Sequence, residues 1–421
     1  MAPTEKHKWK FISRFRRRVY GWDASGRAVK RIEEAIAEIK EVGRTDPVLA
    51  AEGAVRFLEK VSPALEHVDS SSGALGAMVY YAGAELALVI GNAPVSEPRR
   101  RKWLDRLWLA MEKDEIPYLE GLADQWGELC GSAEYASKLA DEFIDAVRRA
   151  WDPDTDTDSY HNGAAACLSS LYKAGRFTDL FELLDLDPHK LWDTRIWGVK
   201  ALAEQGKIEE AVRYAEDSLK RNLGLFHIAP MCEELLLSIG KWEEAYGRYA
   251  IPANQKSTYL GTFKAIAKKY PEVKPADILN DLVESLPGQE GKWYTAAKAA
   301  GLYDEAIELV NRTPCSHSTL IRGARDFCEK RPRFAMESGL VALKWLAAGH
   351  GYEVTVKDIE DAYKYTLAAA VHAGAQGEAK DRLRQIAGTA HPNSRVYKIL
   401  RERLAGADPN NDRPGEKEAV R

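Results

Sequence analysis

Histidine and cysteine are the side chains that most often bind metals or act as nucleophiles, and here they are scattered. No two of the nine histidines are three or four residues apart, so no helix face presents a pair of them as metal ligands. The five cysteines include no C-x-x-C pair, which excludes a disulfide scaffold and a cysteine zinc cage. Cys315 and His317 lie close together beside Pro314, but a nucleophilic role would need distant partners. We expect an ordinary loop thiol at Cys315, and no metal or cofactor.

Alternating aspartates from Asp152 to Asp158 resemble the start of a calcium-binding loop. An EF-hand needs glycine at the sixth position and glutamate at the twelfth. Those positions hold Thr157 and Gly163, so both requirements fail. The pattern favours a solvated acidic linker over residues 152–159, because unpaired carboxylates repel one another and keep the segment extended.

A second acidic group is spaced so that its members would share one face of a helix. Glu120, Asp124 and Glu128 are four residues apart, and paired carboxylates can act as acid and base when burial raises one pKa. A solvated acidic stripe needs nothing unusual and is the favoured interpretation. The glycine–lysine pairs lack the rest of a phosphate-binding loop. An enzyme with no recognisable motif therefore remains only as a second alternative.

The clearest charge asymmetry lies at the start of the chain. Residues 1–31 carry ten Lys and Arg side chains against Glu5 and Asp23, whereas the whole chain has a net charge of -4. Cations neutralise phosphates and aromatic rings stack on bases, so this arm suits RNA or single-stranded DNA. Docking of the arm onto the protein's own helices is the other interpretation. The interleaved aromatic residues are Trp9, Phe11, Phe15, Tyr20 and Trp22.

A second basic cluster, at residues 99–102, opens a helix. Cations in a first helical turn oppose the helix dipole, which hints that another group requires them there. Both clusters together give the residues expected to contact nucleic acid or another acidic partner. They are Lys8, Lys10, Arg14, Arg16, Arg17, Arg18, Arg99, Arg100, Arg101 and Lys102.

Apolar residues recur every three or four positions along nearly the whole chain, which predicts helices. One such stripe predicts a helix from about Gly26 to Gly43. Asp46, Ser96 and Ser132 precede three further predicted helices as N-caps. Only residues 352–356 have the composition of a short strand. The sequence therefore predicts an all-α protein.

Four segments between residues 175 and 312 share one pattern. An apolar residue follows a glycine by two positions, an acid follows it by four positions, and Ala or Leu follows it by five. The glycines are Gly175, Gly206, Gly240 and Gly301, spaced by 31, 34 and 61 residues. The pattern predicts a helix that ends at the glycine, a tight turn, and a second helix with an acidic first turn. Three alanines are expected at close helix–helix contacts, and they are Ala211, Ala245 and Ala306.

This spacing resembles the tetratricopeptide repeat, a helix–turn–helix unit of 34 residues. The resemblance covers about residues 175–312 and lacks that family's early tryptophan and closing proline in register. It implies an α-solenoid of stacked helical hairpins, with an N-terminal helical unit and a C-terminal helical cap. The expected organisation is a basic aromatic arm (1–31), an N-terminal helical unit (32–151), the acidic linker (152–159), a helical-repeat region (160–350), the cap (351–405) and a disordered tail (406–421).

Composition bounds the function further. Apolar residues make up 45% of the chain and charged residues 29%, which excludes a chain disordered throughout. The N-terminus lacks the apolar core of a signal peptide, and the apolar stretch at 74–93 carries Glu85 near its middle. We expect a cytoplasmic protein with no membrane contact. The favoured function is a non-enzymatic scaffold whose helical-repeat surface binds another protein, and the alternative is nucleic-acid binding through the arm.

Overall fold

A computed structural model describes residues 7–152, 163–221 and 224–405 of the chain, and within these ranges the protein is helical with no strand. The all-α prediction is confirmed. The strand considered at 352–356 is wrong, because Thr355 and Asp358 form a reciprocal capping box that starts a helix there. The predicted linker beyond Asp152 and the predicted tail at 406–421 lie outside the described residues.

The chain divides into two compact units, residues 1–228 and 229–421. The division falls inside the stretch that the sequence assigns to the repeat region. The helices that begin in the first unit are α1 (Phe11–Arg14), α2 (Ser25–Gly43), α3 (Pro47–Leu65), α4 (Ala74–Gly91), α5 (Glu97–Glu112), α6 (Trp126–Cys130), α7 (Ala133–Ala150), α8 (Ala164–Lys173), α9 (Phe177–Leu186), α10 (Trp192–Glu204), α11 (Ile208–Glu216) and α12 (Leu225–Ser238), the last of which crosses the division.

The described residues of the second unit contain ten more helices. They are α13 (Trp242–Ala253), α14 (Tyr259–Lys269), α15 (Pro275–Glu284), α16 (Tyr294–Ala299), α17 (Tyr303–Arg312), α18 (His317–Asp326), α19 (Pro332–Ala347), α20 (Val356–His372), α21 (Gln376–Thr389) and α22 (Arg395–Ala405).

Helix starts follow the capping signals in the sequence. The Asp46 carboxylate accepts a hydrogen bond from the Leu49 amide at 2.9 Å, and Pro47 occupies the first position of α3, where it has no hydrogen bond to lose. Ser132 caps α7 in the same way, through the Tyr135 amide at 3.2 Å. Helix α5 begins directly after Ser96, whose side chain makes no capping hydrogen bond.

The four predicted turns are confirmed at the level of single hydrogen bonds. Each turn glycine has a φ between +70° and +79°, a left-handed conformation that costs glycine little. The residue after each glycine donates its N–H to the carbonyl five residues earlier, which is the Schellman arrangement that ends a helix. The donor and acceptor pairs are Arg176 and Leu171, Lys207 and Leu202, Lys241 and Leu236, and Leu302 and Ala297. The alanines Ala211, Ala245 and Ala306 are fully buried.

A fifth, partial copy of the pattern starts at Gly374, outside the predicted repeat region, with Gln376 in place of the apolar residue. Gly374 has a φ of +65°, Ala375 donates to the Ala370 carbonyl at 2.9 Å, and Glu378 and buried Ala379 follow at the expected positions. The segment predicted as a cap therefore contains the same turn, between α20 and α21.

Helix α4 is the described helix that is long and apolar enough to cross a membrane, and 44% of its residues are buried in the protein. It packs against α2, α3 and α6, and its single charged residue, Glu85, pairs with Lys40 of α2. Its outward face is considered below.

Candidate interaction surfaces

Four of the five aromatic residues of the arm belong to the core of the first unit. Phe11 and Phe15 are each 1% exposed, and both rings pack edge-on against Phe57 of α3, at centroid distances of 5.6 and 5.0 Å. Trp9 lies directly over Gly53, where any side chain would collide with the indole. Since buried rings cannot stack on bases, only the exposed Trp22, at 67%, is available for stacking.

Several arm cations pair with the protein's own acids. Arg14 meets Glu34 of α2 at 2.5 Å, and Arg17 and Arg18 both meet Glu66 at the end of α3, at 3.1 and 2.7 Å. The hydrogen bond from Arg18 is the main cause that lowers the pKa of Glu66. These contacts match the docking interpretation of the arm.

The charged side-chain ends of three predicted arm cations form no ion pair among the described residues, although the Lys10 main-chain N–H donates to Glu38 at 2.8 Å. Lys8, Lys10 and Arg16 are exposed, and together with Arg14 they line a shallow cleft beside Trp9. These cations make the surface around the cleft positively charged.

The cluster at residues 99–102 is mainly structural. Arg100 is 7% exposed, and its guanidinium donates to three carbonyls: Ile90 at 2.8 Å, Ala93 at 2.7 Å and Leu129 at 3.1 Å. Arg100 thus satisfies the C-terminal end of α4, which explains the cation in the first turns of α5. It is not available to an external partner.

The other members of this cluster lie at the surface. Arg101 pairs with Asp105 at 2.8 Å and with Glu142 of α7 at 2.6 Å. Arg99 lies over the ring of Trp103 at 5.5 Å. Lys102 is exposed.

The carboxylates Glu120, Asp124 and Glu128 are not on one helix face. Residues 120–125 form a 3₁₀ turn that precedes α6, so the α-helical spacing assumed for them does not apply. Glu128 pairs with Lys173 at 2.9 Å. Burial raises the pKa of Asp124 to about 6, and burial lowers the pKa of nearby Lys200, whose ammonium lies 4.1 Å from the Trp197 ring centre.

A buried carboxylate in the second unit was not singled out by the sequence. Glu233 of α12 has no exposed surface and accepts hydrogen bonds from Asn254 and from the Tyr270 hydroxyl, both at 2.6 Å. Lys269 pairs with its other oxygen at 2.5 Å. With each oxygen bonded to a neighbour, Glu233 links α12 to the end of α13 and to α14.

Within the described ranges, no arrangement of side chains suits metal binding or thiol chemistry. No group of three acidic, histidine or cysteine side chains there could hold a metal ion. Burial raises the pKa of Cys315 to about 12, so its thiol stays protonated at neutral pH.

A groove of about 790 Å³ lies between two successive hairpins of the first unit, formed by α8–α9 and α10–α11. Its floor is half-buried and mostly apolar, and its rim is exposed and polar with charges of both signs. The floor consists of Phe177, Phe181, Leu202 and Tyr214, and the rim of Thr178, Gln205, Lys207, Glu210, Arg213 and Asp217.

Tyr214 is held rigidly in this groove. The guanidinium of Arg195 lies 3.8 Å from the ring centre, while its N–H groups donate to the Tyr214 carbonyl and the Ser218 hydroxyl, both at 3.0 Å. Gly198 lies against the tyrosine ring, and a side chain there would collide with it. Phe181 meets Tyr214 edge-on at 6.0 Å. The aromatic floor is therefore preformed.

The repeat pattern does not mark the groove. It identifies the glycine, acid and alanine that build each hairpin, whereas Phe181 and Tyr214 occupy variable positions six and eight residues after their turn glycines. The only signal of the groove in the sequence is that aromatic residues occupy these variable positions. Such residues look the same in a sequence as ordinary packing residues.

No family model, curated protein or solved structure shows a significant match to this chain.

Proposed function

We propose that the protein is a scaffold built as an α-solenoid of tetratricopeptide-like hairpins, and that it binds a peptide segment of another protein. The observation that carries the proposal is the groove between α8–α9 and α10–α11. An apolar aromatic centre with a polar rim is the usual anatomy of a protein-binding surface. Stacked hairpins produce such grooves between neighbours, and recognition needs no reactive residue.

The rim indicates which class of ligand fits. Lys207 and Arg213 lie with Glu210 and Asp217 around the same apolar floor, so the rim has no single sign of charge. A peptide with one or two apolar anchors and flanking charges of both signs complements it. A polyphosphate backbone would meet the two acids.

Selection from a displayed peptide library tests the proposal. Peptides selected on the wild-type chain should share an apolar anchor, and Phe181→Ala should weaken their binding by about tenfold or more, since a central aromatic anchor contributes more than 1.4 kcal/mol. Lys207→Glu should change which charges the peptides carry. Lys264→Glu, at an exposed lysine of α14 in the other unit, is the matched control.

The proposal fails if the selected peptides bind Phe181→Ala and Lys207→Glu as tightly as the wild type. It also fails if selection returns no sequence consensus. Circular dichroism of each variant separates lost binding from lost folding.

A further inference from the structure

The outward face of α4 carries an apolar stripe with a regular spacing. Tyr81 and Leu88 are 50% and 48% exposed, Ala77 is exposed, and Ala84 is partly buried. These four residues are separated by four, three and four positions, which is the spacing of a coiled-coil seam. Tyr80, 52% exposed, flanks the stripe and rests against Gly121. An apolar patch of this extent matches the largest patch on a typical single-chain protein, and such a patch is often a functional surface.

We propose that this stripe, defined by Ala77, Tyr81, Ala84 and Leu88, is a homodimer interface in which the α4 helices of two copies pack antiparallel about a two-fold axis. In that arrangement Ala77 lies opposite Leu88 of the second copy, and Tyr81 lies opposite its Ala84. Each large side chain therefore meets a small one. A two-fold interface must be complementary to itself, and this alternation satisfies that requirement.

Charge supports pairing of identical copies. Glu85 is the one charged residue of α4, and it is already neutralised by Lys40 of the same chain. Within α4 itself, association therefore does not require desolvation of an unpaired ion, and the acids Asp124 and Asp193 of neighbouring elements act only on the Tyr80 side of the stripe.

The area available is close to the lower limit for a specific interface. Half-exposed tyrosine and leucine side chains contribute roughly 100 Å² each, so the stripe with Tyr80 and the flanking alanines supplies roughly 450 Å² per copy. The pair buries roughly 900 Å², near the 1,000 Å² expected of a weak specific dimer. We therefore expect a dissociation constant in the micromolar range.

Other occupants fit the stripe less well. Residues 153–162 and 406–421, which lie outside the described ranges, are mostly polar or charged, so their composition does not complement an apolar stripe. A helix that lies on a membrane surface usually carries lysine and arginine along its polar edges, and α4 has neither.

Sedimentation velocity of the full chain across micromolar concentrations tests the dimer. We expect a monomer–dimer equilibrium in the wild type, weakened about tenfold or more by Leu88→Arg, because a charge would be buried opposite Ala77. Val371→Arg is the matched control, since Val371 is an apolar residue of α20 that is 58% exposed and outside the stripe. A wild-type chain that stays monomeric throughout overturns the proposal.

Cysteine cross-linking tests the geometry independently of affinity. The double variant Ala77→Cys with Leu88→Cys should form an intermolecular disulfide between positions 77 and 88, identified by mass spectrometry. Ala77→Cys alone should not cross-link through that position, because the two copies of residue 77 lie about 16 Å apart along an antiparallel pair. A 77–77 disulfide would contradict the antiparallel register. Co-sedimentation of the wild type with phosphatidylcholine vesicles, lost in Leu88→Arg, would assign the stripe to a membrane instead.

Discussion

Arg100 is a cation in a helix position where the dipole disfavours it, and its carbonyl partners supply the reason. Three main-chain oxygens at the ends of α4 and α6 have the guanidinium as a buried donor. Gly131 packs against it, and a side chain there would collide with the guanidinium. A basic side chain close to the start of a helix therefore serves the end of a different helix.

Replacing Arg100 with methionine should lower the free energy of unfolding by about 3 kcal/mol. Methionine keeps most of the apolar stem, but the three buried carbonyls lose a charged donor. Urea denaturation measures the change, and Arg99→Met, at the exposed neighbour over Trp103, should shift it by less than about 0.5 kcal/mol. Equal losses in both variants would mean that the hydrogen bonds of Arg100 contribute little.

Asp124 should make the stability depend on pH. Burial raises its pKa to about 6 in the folded state, above the ordinary value of 3.8. Between pH 3.8 and pH 6, the Asp124 carboxyl is therefore protonated in the folded chain and ionised in the unfolded chain. Stability from this group is present below pH 4 and is lost as the pH rises through 6. Asp124→Asn mimics the protonated acid and removes this loss.

We expect Asp124→Asn to match the wild type in stability near pH 4 and to exceed it above pH 7 by on the order of 2 kcal/mol. Unfolding curves of the two proteins at both pH values measure the difference. Asp23→Asn, at an exposed carboxylate that is not among the charges acting on Asp124, is the control. A stability difference that stays constant with pH would contradict the raised pKa.

At the scale of helices, the recurring unit is a left-handed glycine followed by an acid and a small buried residue. The fifth copy contains two glycines only three residues apart that obey opposite rules. Gly374 has a φ of +65° at the turn, whereas Gly377 lies inside α21 with open space around it. Substitutions at Gly374 and Gly377 therefore distinguish two effects: the requirement for a left-handed backbone at the turn, and the ordinary cost of glycine in a helix.

Gly374→Ala should destabilise the protein by about 1 kcal/mol, because alanine in the left-handed region costs 1–2 kcal/mol. Gly377→Ala should stabilise it by roughly 0.5–1 kcal/mol, because alanine is the better helix former. Thermal melts of both variants give the two signs. Two shifts of the same sign would mean that the turn assigned at Gly374 is wrong.

At the scale of the molecule, the basic arm is part of the first unit's core. Its rings occupy positions against α3 that a core residue would fill, while Lys8, Lys10 and Arg16 remain on the outside. The arm therefore has two roles: its buried aromatic residues pack against the helices, and its exposed cations give the surface a positive charge. In the sequence the two kinds of residue are interleaved.

Phe15→Ala should destabilise the protein by about 3–5 kcal/mol, since it leaves a cavity against Phe57. Arg16→Glu should leave the melting temperature unchanged, because Arg16 is exposed without an acidic partner among the described residues. Both are measured by thermal melts. If the wild type bound single-stranded RNA with an affinity that fell steeply with salt and was lost in Arg16→Glu, the nucleic-acid interpretation of the arm would be supported instead.

Local signals in the sequence determined the helical class and the turns. A proline after Asp46, or a glycine followed by an acid and an alanine, acts through hydrogen bonds and steric limits within a few residues, so the sequence suffices to predict them. The same holds for the burial of Ala211, Ala245 and Ala306, because each follows its turn glycine at the same position.

Only the tertiary structure decided which side chains remain available. Whether Phe15 stacks on a base or packs on Phe57, whether Arg100 meets a phosphate or three carbonyls, and whether Phe181 and Tyr214 share a groove all depend on residues distant in the chain. The same applies to α4, whose apolar stretch is buried on one side and open on the other. Burial and pairing are set by the neighbours that folding brings together, and a single sequence does not specify those neighbours.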